Sequence, residues 1–138
     1  AILVRRGRIV EHRVLRLCLL PERRWMHAVA VAERNGPREA VWMANLHLTV
    51  HKPAAATREA HSAAEAVLHW ADGWPAVLGG DFNLPAPSLP GLEQAGGHGV
   101  DHILASGLRA VGESEVLVRG LLSDHPPVLV ELERVPRA

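Results

Sequence analysis

The sequence predicts an α/β protein, more closely an α+β mixed sheet with antiparallel pairs. Three observations carry that reading. Apolar runs rich in Val, Leu and Ala flank one central segment of helical spacing, their lengths suit strands rather than helices, and Gly, Pro and Asn punctuate them. The chain has 138 residues and 15.0 kDa, one domain's worth, enough to bury about two thirds of its unfolded surface. A composition 48% hydrophobic and 22% charged excludes disordered and fibrous classes. Lys+Arg of 15 against Asp+Glu of 15 leaves no net charge, so global electrostatics names neither nucleic acid nor a membrane surface as partner. Residues 1–38 nevertheless hold nine Arg against three Glu, a net of +6. Arg scattered along amphipathic strands reads as a solvated face.

Ala1-Ile2-Leu3-Val4-Arg5 reads as a strand entered without a cap or turn, so the expected start of the domain lies upstream. Residues 8–20 and 25–33 fit two strands joined at Pro21-Glu22-Arg23, and Asn35-Gly36 is a strong hairpin signal returning the chain as a strand over 39–49. From 54 to 71, Ala60, Ala63, Ala64, Val67, Leu68 and Ala71 recur at helical spacing, with Arg58, Glu59, Glu65 and His69 off that stripe. Gly73-Trp74-Pro75 ends the helix, and Ala76-Val77-Leu78-Gly79 reads as a buried strand. A Pro- and Gly-rich loop over 84–99 precedes strands at 100–105, around 109–118 and at 127–132. Cys18 stands alone and excludes an internal disulfide. No apolar run reaches the ~18 residues of a membrane span, and no signal-peptide pattern opens the chain; the lack of disulfide cysteines permits the cytoplasm, slightly favoured here, without requiring it.

Acidic, amide and imidazole side chains recur at predicted strand ends: His47, Asp81 with Asn83, Asp101, and Asp124 with His125. Strand ends aim side chains from rigid backbone into a common cleft, and unpaired charges there are costly in a core. His102, beside Asp101, points to the opposite face and reads as structural. His47 and His51 lie four apart, but no Glu follows His47 and the run before it alternates like a strand, which rejects a zinc-protease helix. The four Trp residues read as packing, since no aromatic ladder interleaves with basic residues.

Asn45-Leu46-His47-Leu48, Gly80-Asp81-Phe82-Asn83, Val100-Asp101-His102-Ile103-Leu104 and Ser123-Asp124-His125-Pro126 occur in that order. The series resembles the C-terminal part of the endonuclease/exonuclease/phosphatase superfamily, from residue 1 to about residue 132. The resemblance implies about half of a four-layer sandwich, two β-sheets flanked by helices, and a divalent-metal-dependent phosphoester hydrolase using an activated water. Hard carboxylate oxygens suit Mg²⁺ or Mn²⁺. By resemblance Asp124 is the first metal ligand. The resemblance also implies that Asp81 positions or deprotonates the water and touches the metal; Asn83, two residues on in an extended chain, shares its side. Asp101 fixes the tautomer of His125, which acts on the phosphate or the water, and His47 contacts the phosphate.

The family's N-terminal metal-binding Glu, strand-end Asn and histidine buttress have no counterpart here, so residues 1–138 read as a single partial domain. The expected substrate is a phosphoester in a nucleic acid, a nucleotide, or a phospholipid or inositol head group. The alternative is a non-catalytic truncated module that associates with itself through an exposed sheet face.

Overall fold

The computed structural model describes residues 1–20, 22–32, 40–121 and 123–136. In chain order the elements are β1 (Arg8–Cys18), β2 (Arg24–Ala32), β3 (Val41–His47), α1 (Pro53–Ala71), β4 (Ala76–Asp81), β5 (Glu93–His98), β6 (Asp101–Ser106), β7 (Leu108–Ala110), β8 (Glu115–Val116), β9 (Val128–Leu129) and β10 (Leu132–Arg134). Six strands form one mixed sheet in the order β1-β2-β3-β4-β6-β5. Only β3 and β4 in it run parallel, which requires a crossover, and α1 supplies it.

Alternation along the strands sorts the sheet's two faces, with Val29 and Val31 of β2 buried on the face away from the helix as well. Met26, Ala28, Ala30 and Ala32 of β2, Trp42, Ala44 and Leu46 of β3, and Leu78 of β4 are buried beneath α1. The helix answers with Ala56, Ala60, Ala63, Ala64, Val67 and Ala71. Alanines dominate both sides, so helix and sheet approach closely, while Leu48, Leu78, Phe82 and Leu104 are the larger side chains buried there. Each such larger side chain stabilises the fold by about 2 kcal/mol through burial. Pro53 opens α1, where its missing N–H costs nothing, and Asp72 closes it in a left-handed conformation with its N–H donated to the Leu68 carbonyl.

On the opposite face two small sheets, β7 with β10 and β8 with β9, lie beside the β5–β6 end. There Gly96 packs so tightly that any Cβ would press on Ser114. At the other end of that face Ile9, Val14, Trp25 and Met43 are exposed, Trp25 by 47%. Among the described residues no helix is long and apolar enough to cross a membrane.

Several sequence expectations are corrected. Residues 1–5 form no strand, and Leu3 is 95% exposed: β1 is an edge whose described partner is β2, so no ladder reaches these residues. The expected loop 84–99 contains β5, hidden by a low-propensity Gly96-Gly97 pair and held by its antiparallel pairing with β6. The single strands expected around 109–118 and 127–132 are each two short ones. The first breaks at Gly112, whose φ is +78°, and Val111 turns its N–H to the Glu131 carbonyl. Glu59, expected off the apolar stripe, is buried on it. The Asn35-Gly36 turn and Pro21 lie outside the described residues, although β2 and β3 pair antiparallel as that turn implies.

Candidate active site

β3, β4 and β6 are adjacent, and their register places His47 opposite Asp81 and Asp81 opposite Asp101. Partners in register share a face, so three functional side chains form one row across the sheet on the face away from α1. Gly80 makes this closeness possible: its φ is +137°, and a Cβ there would overlap the Leu46 carbonyl oxygen of β3. His47 Nε2 lies 3.5 Å from Asp81 Oδ2.

Immediately after β4 the chain turns sharply. Phe82 is wholly buried, stacks edge-on against His102 at 5.6 Å, and donates its N–H to the Val100 carbonyl. Asn83 sits at φ +50°, donates its backbone N–H to Asp81 Oδ1 at 2.9 Å, and donates from Nδ2 to the Leu48 carbonyl at 3.0 Å. The expectation that Asn83 follows Asp81 along an extended chain is therefore corrected: the chain bends into an Asx-turn, for which a left-handed Asn is well suited. Its amide group ties β4 to the segment after β3 instead of lying parallel to the Asp81 carboxylate.

The fourth element is the segment leading to β9. Ser123 Oγ accepts the His125 N–H at 3.0 Å, and His125 Nδ1 donates to Asp101 Oδ2 at 2.7 Å. That bond sets the tautomer expected for the pair. The hydrogen bond to Asp101, then the charge of Asp101, raises the His125 pKa above its usual 6.5; Asp81 and Asp124 add to the effect, while slight desolvation opposes it. Imidazolium is thus favoured where a phosphate would need a donor. Asp124 is 91% exposed at the rim, with Oδ1 4.0 Å from His125 Nε2.

One donor atom each from Asp81, Asp101 and His125 lie within 4.8 Å of one another. Two part-buried carboxylates beside an imidazole suit a hard divalent cation, with Asp101 already committed through one oxygen to His125. His102 behaves as expected for a structural residue: it is buried, its Nε2 donates to the Leu84 carbonyl at 2.8 Å, and its Nδ1 accepts from Gln94. The sequence reading missed Glu59 and Thr49, a buried hydrogen-bonded pair joining α1 to the segment just after His47. The available signal was spacing: Glu59 lies three residues after Ala56 and four before Ala63, within the buried stripe.

A family model described as the endonuclease/exonuclease/phosphatase family matches residues 2–125. No curated protein matches the chain in sequence. Among solved structures, the endonuclease/exonuclease/phosphatase from Bacteroides vulgatus superposes with a TM-score of 0.79 at 16% identity, over 94% of this chain and 67% of its own. The mannosyl-6-phosphatase of Bacteroides thetaiotaomicron gives 0.76 at 20%, over 93% and 67%. D. rerio TDP2, complexed with a single-strand DNA product, gives 0.76 at 10%, over 93% and 69%. These likenesses establish the fold, and this chain spans about two thirds of the length of each.

Proposed function

The chain belongs to the endonuclease/exonuclease/phosphatase family, and on that premise we propose that it hydrolyses a phosphoester with the help of Mg²⁺ or Mn²⁺. The observation that carries this reading is the convergence of Asp81, Asp101 and His125 within 4.8 Å, with His47 beside Asp81. Asp81 and Asp124 would hold the cation, leaving Asp101 to His125. When bound, the cation supplies charge neutralisation on the phosphoryl oxygens, which otherwise repel a nucleophile.

The side chains divide the remaining work. Asp81, whose Oδ1 is oriented by the Asn83 N–H, accepts a proton from the attacking water through its carboxylate. His125, tautomer-locked by Asp101, presents Nε2 as the donor to the phosphate, and His47 offers a second imidazole from the other side of Asp81. Asn83 keeps the Asp81 turn against the Leu48 carbonyl. The substrate is a phosphoester of a nucleic acid, a nucleotide, or a phospholipid or inositol head group. A steep loss of binding with added salt favours a polyanion, and indifference to salt favours a small phosphoester.

The test is hydrolysis of bis-p-nitrophenyl phosphate with Mg²⁺ or Mn²⁺. Turnover is expected to stop on chelation with EDTA and to fall at least about a hundredfold in Asp81→Ala. Turnover that survives both treatments overturns the reading. A second reading, a non-catalytic module that associates with itself, is favoured by one observation: Ile9, Val14, Trp25 and Met43 leave an exposed apolar patch on the face that carries the site.

A further inference from the structure

Glu59 belongs to no part of the machinery described above, yet it is a carboxylate only 5% exposed on a helix face otherwise made of Ala and Val. Burying such a group costs several kcal/mol unless donors compensate it. Both its oxygens are engaged by one residue: Thr49 donates its backbone N–H to Oε2 at 2.9 Å and its hydroxyl to Oε1 at 2.6 Å. Thr49 is itself buried. It follows Leu48 directly, and Leu48 is the point at which β3 is tied to the Asp81 turn. The Leu48 N–H donates to the Asp81 carbonyl at 2.9 Å, and its own carbonyl accepts from Asn83 Nδ2. Asn83 in turn donates to the Asp81 carboxylate. A continuous path of backbone and hydrogen bonds therefore runs from α1 to Asp81, with His47 two residues upstream of the clamp.

The segment after β3 has no strand ladder to hold it, and His51 within it takes φ +57°. The bidentate carboxylate holds this segment from the helix side, as the Leu48 bonds hold it from the end of β4. We infer that Glu59 is a positioning residue, which through Thr49 and Leu48 sets the placement of Asp81, Asn83 and His47 for the reaction; this rests on the hydrolase reading of the site. Its effect reaches the substrate only through those residues.

The experiment compares the 138-residue chain with Glu59→Ala, Glu59→Gln, Thr49→Val and the control Val67→Ala, which removes methyls from the same buried helix face away from Thr49. The Asn83 side-chain amide and the backbone amides of Asp81 and Asn83 are followed by ¹⁵N NMR, with kcat and KM measured on bis-p-nitrophenyl phosphate. Glu59→Ala is expected to shift those signals and lower kcat about ten- to hundredfold with KM nearly unchanged. Thr49→Val, which keeps the N–H contact, shifts the same signals less, and Glu59→Gln restores most of the native positions. Should Glu59→Ala fail to fold, Thr49→Val carries the comparison. Unmoved Asn83 and Asp81 signals, equal movement in Val67→Ala, or movement without loss of kcat overturns the inference. Absence of turnover in the unaltered chain counts against the hydrolase reading, and the NMR comparison then decides the positioning role alone.

Discussion

His125 and Asp101 show at the residue scale how a single hydrogen bond sets the chemistry of a site. The raised pKa of His125 comes first from its bond to Asp101 and second from that carboxylate's charge. Asp101→Asn is therefore expected to lower the His125 pKa toward its ordinary value, as read from the imidazole proton shifts against pH. The sign for stability follows from a folded-state pKa above the unfolded one. The His125 contribution is fully present below the unfolded value of 6.5 and is lost as pH rises through the higher folded value. Urea unfolding of the unaltered chain and Asp101→Asn should differ most on the acidic side of that window and converge above it, by a small amount because His125 is partly solvated. The turn at Asn83 was not legible in the sequence, because period-2 alternation holds only while the strand lasts, and β4 ends at Asp81.

At the scale of elements, the parallel contact between β3 and β4 is what brings His47 to Asp81. Gly80 permits it, and Gly80→Ala combines a strained φ with overlap on the Leu46 carbonyl. The expected outcome is a loss of about 2 kcal/mol or more in urea unfolding, with the His47 and Asp81 signals displaced. The α1 interface is equally sensitive to added volume, since Ala63 is wholly buried against the sheet. Ala63→Leu should cost about 1–3 kcal/mol through overpacking, measured the same way. The helix and the longer strands were legible because their periods are set by many residues at once. β5 was not, since Gly96 and Gly97 carry no β signal and the strand exists through its pairing with β6.

At the scale of the whole molecule, the balanced net charge conceals a basic first third, of which Arg8, Arg13 and Arg16 lie along the exposed edge strand β1. That arrangement fits a solvated face, with Arg13 paired to Glu11. The apolar patch on the opposite side of the sheet from α1 has a different consequence. Sedimentation velocity of the chain is expected to show concentration-dependent association, reduced in a Trp25→Ser and Met43→Ser double variant. A concentration-independent monomer would remove the basis of the self-associating module.

The sequence by itself determined the α/β class and the span of α1, and it offered His47, Asp81, Asn83, Asp101, Asp124 and His125 as a candidate set, because period, turn chemistry and motif order are local properties. Only the tertiary structure decided how those residues meet. Strand order and register, the left-handed turn at Asn83 and the burial of Glu59 against Thr49 depend on segments far apart in the chain. Free energy there is set by shared burial and hydrogen bonding between segments rather than by the preferences of any one of them.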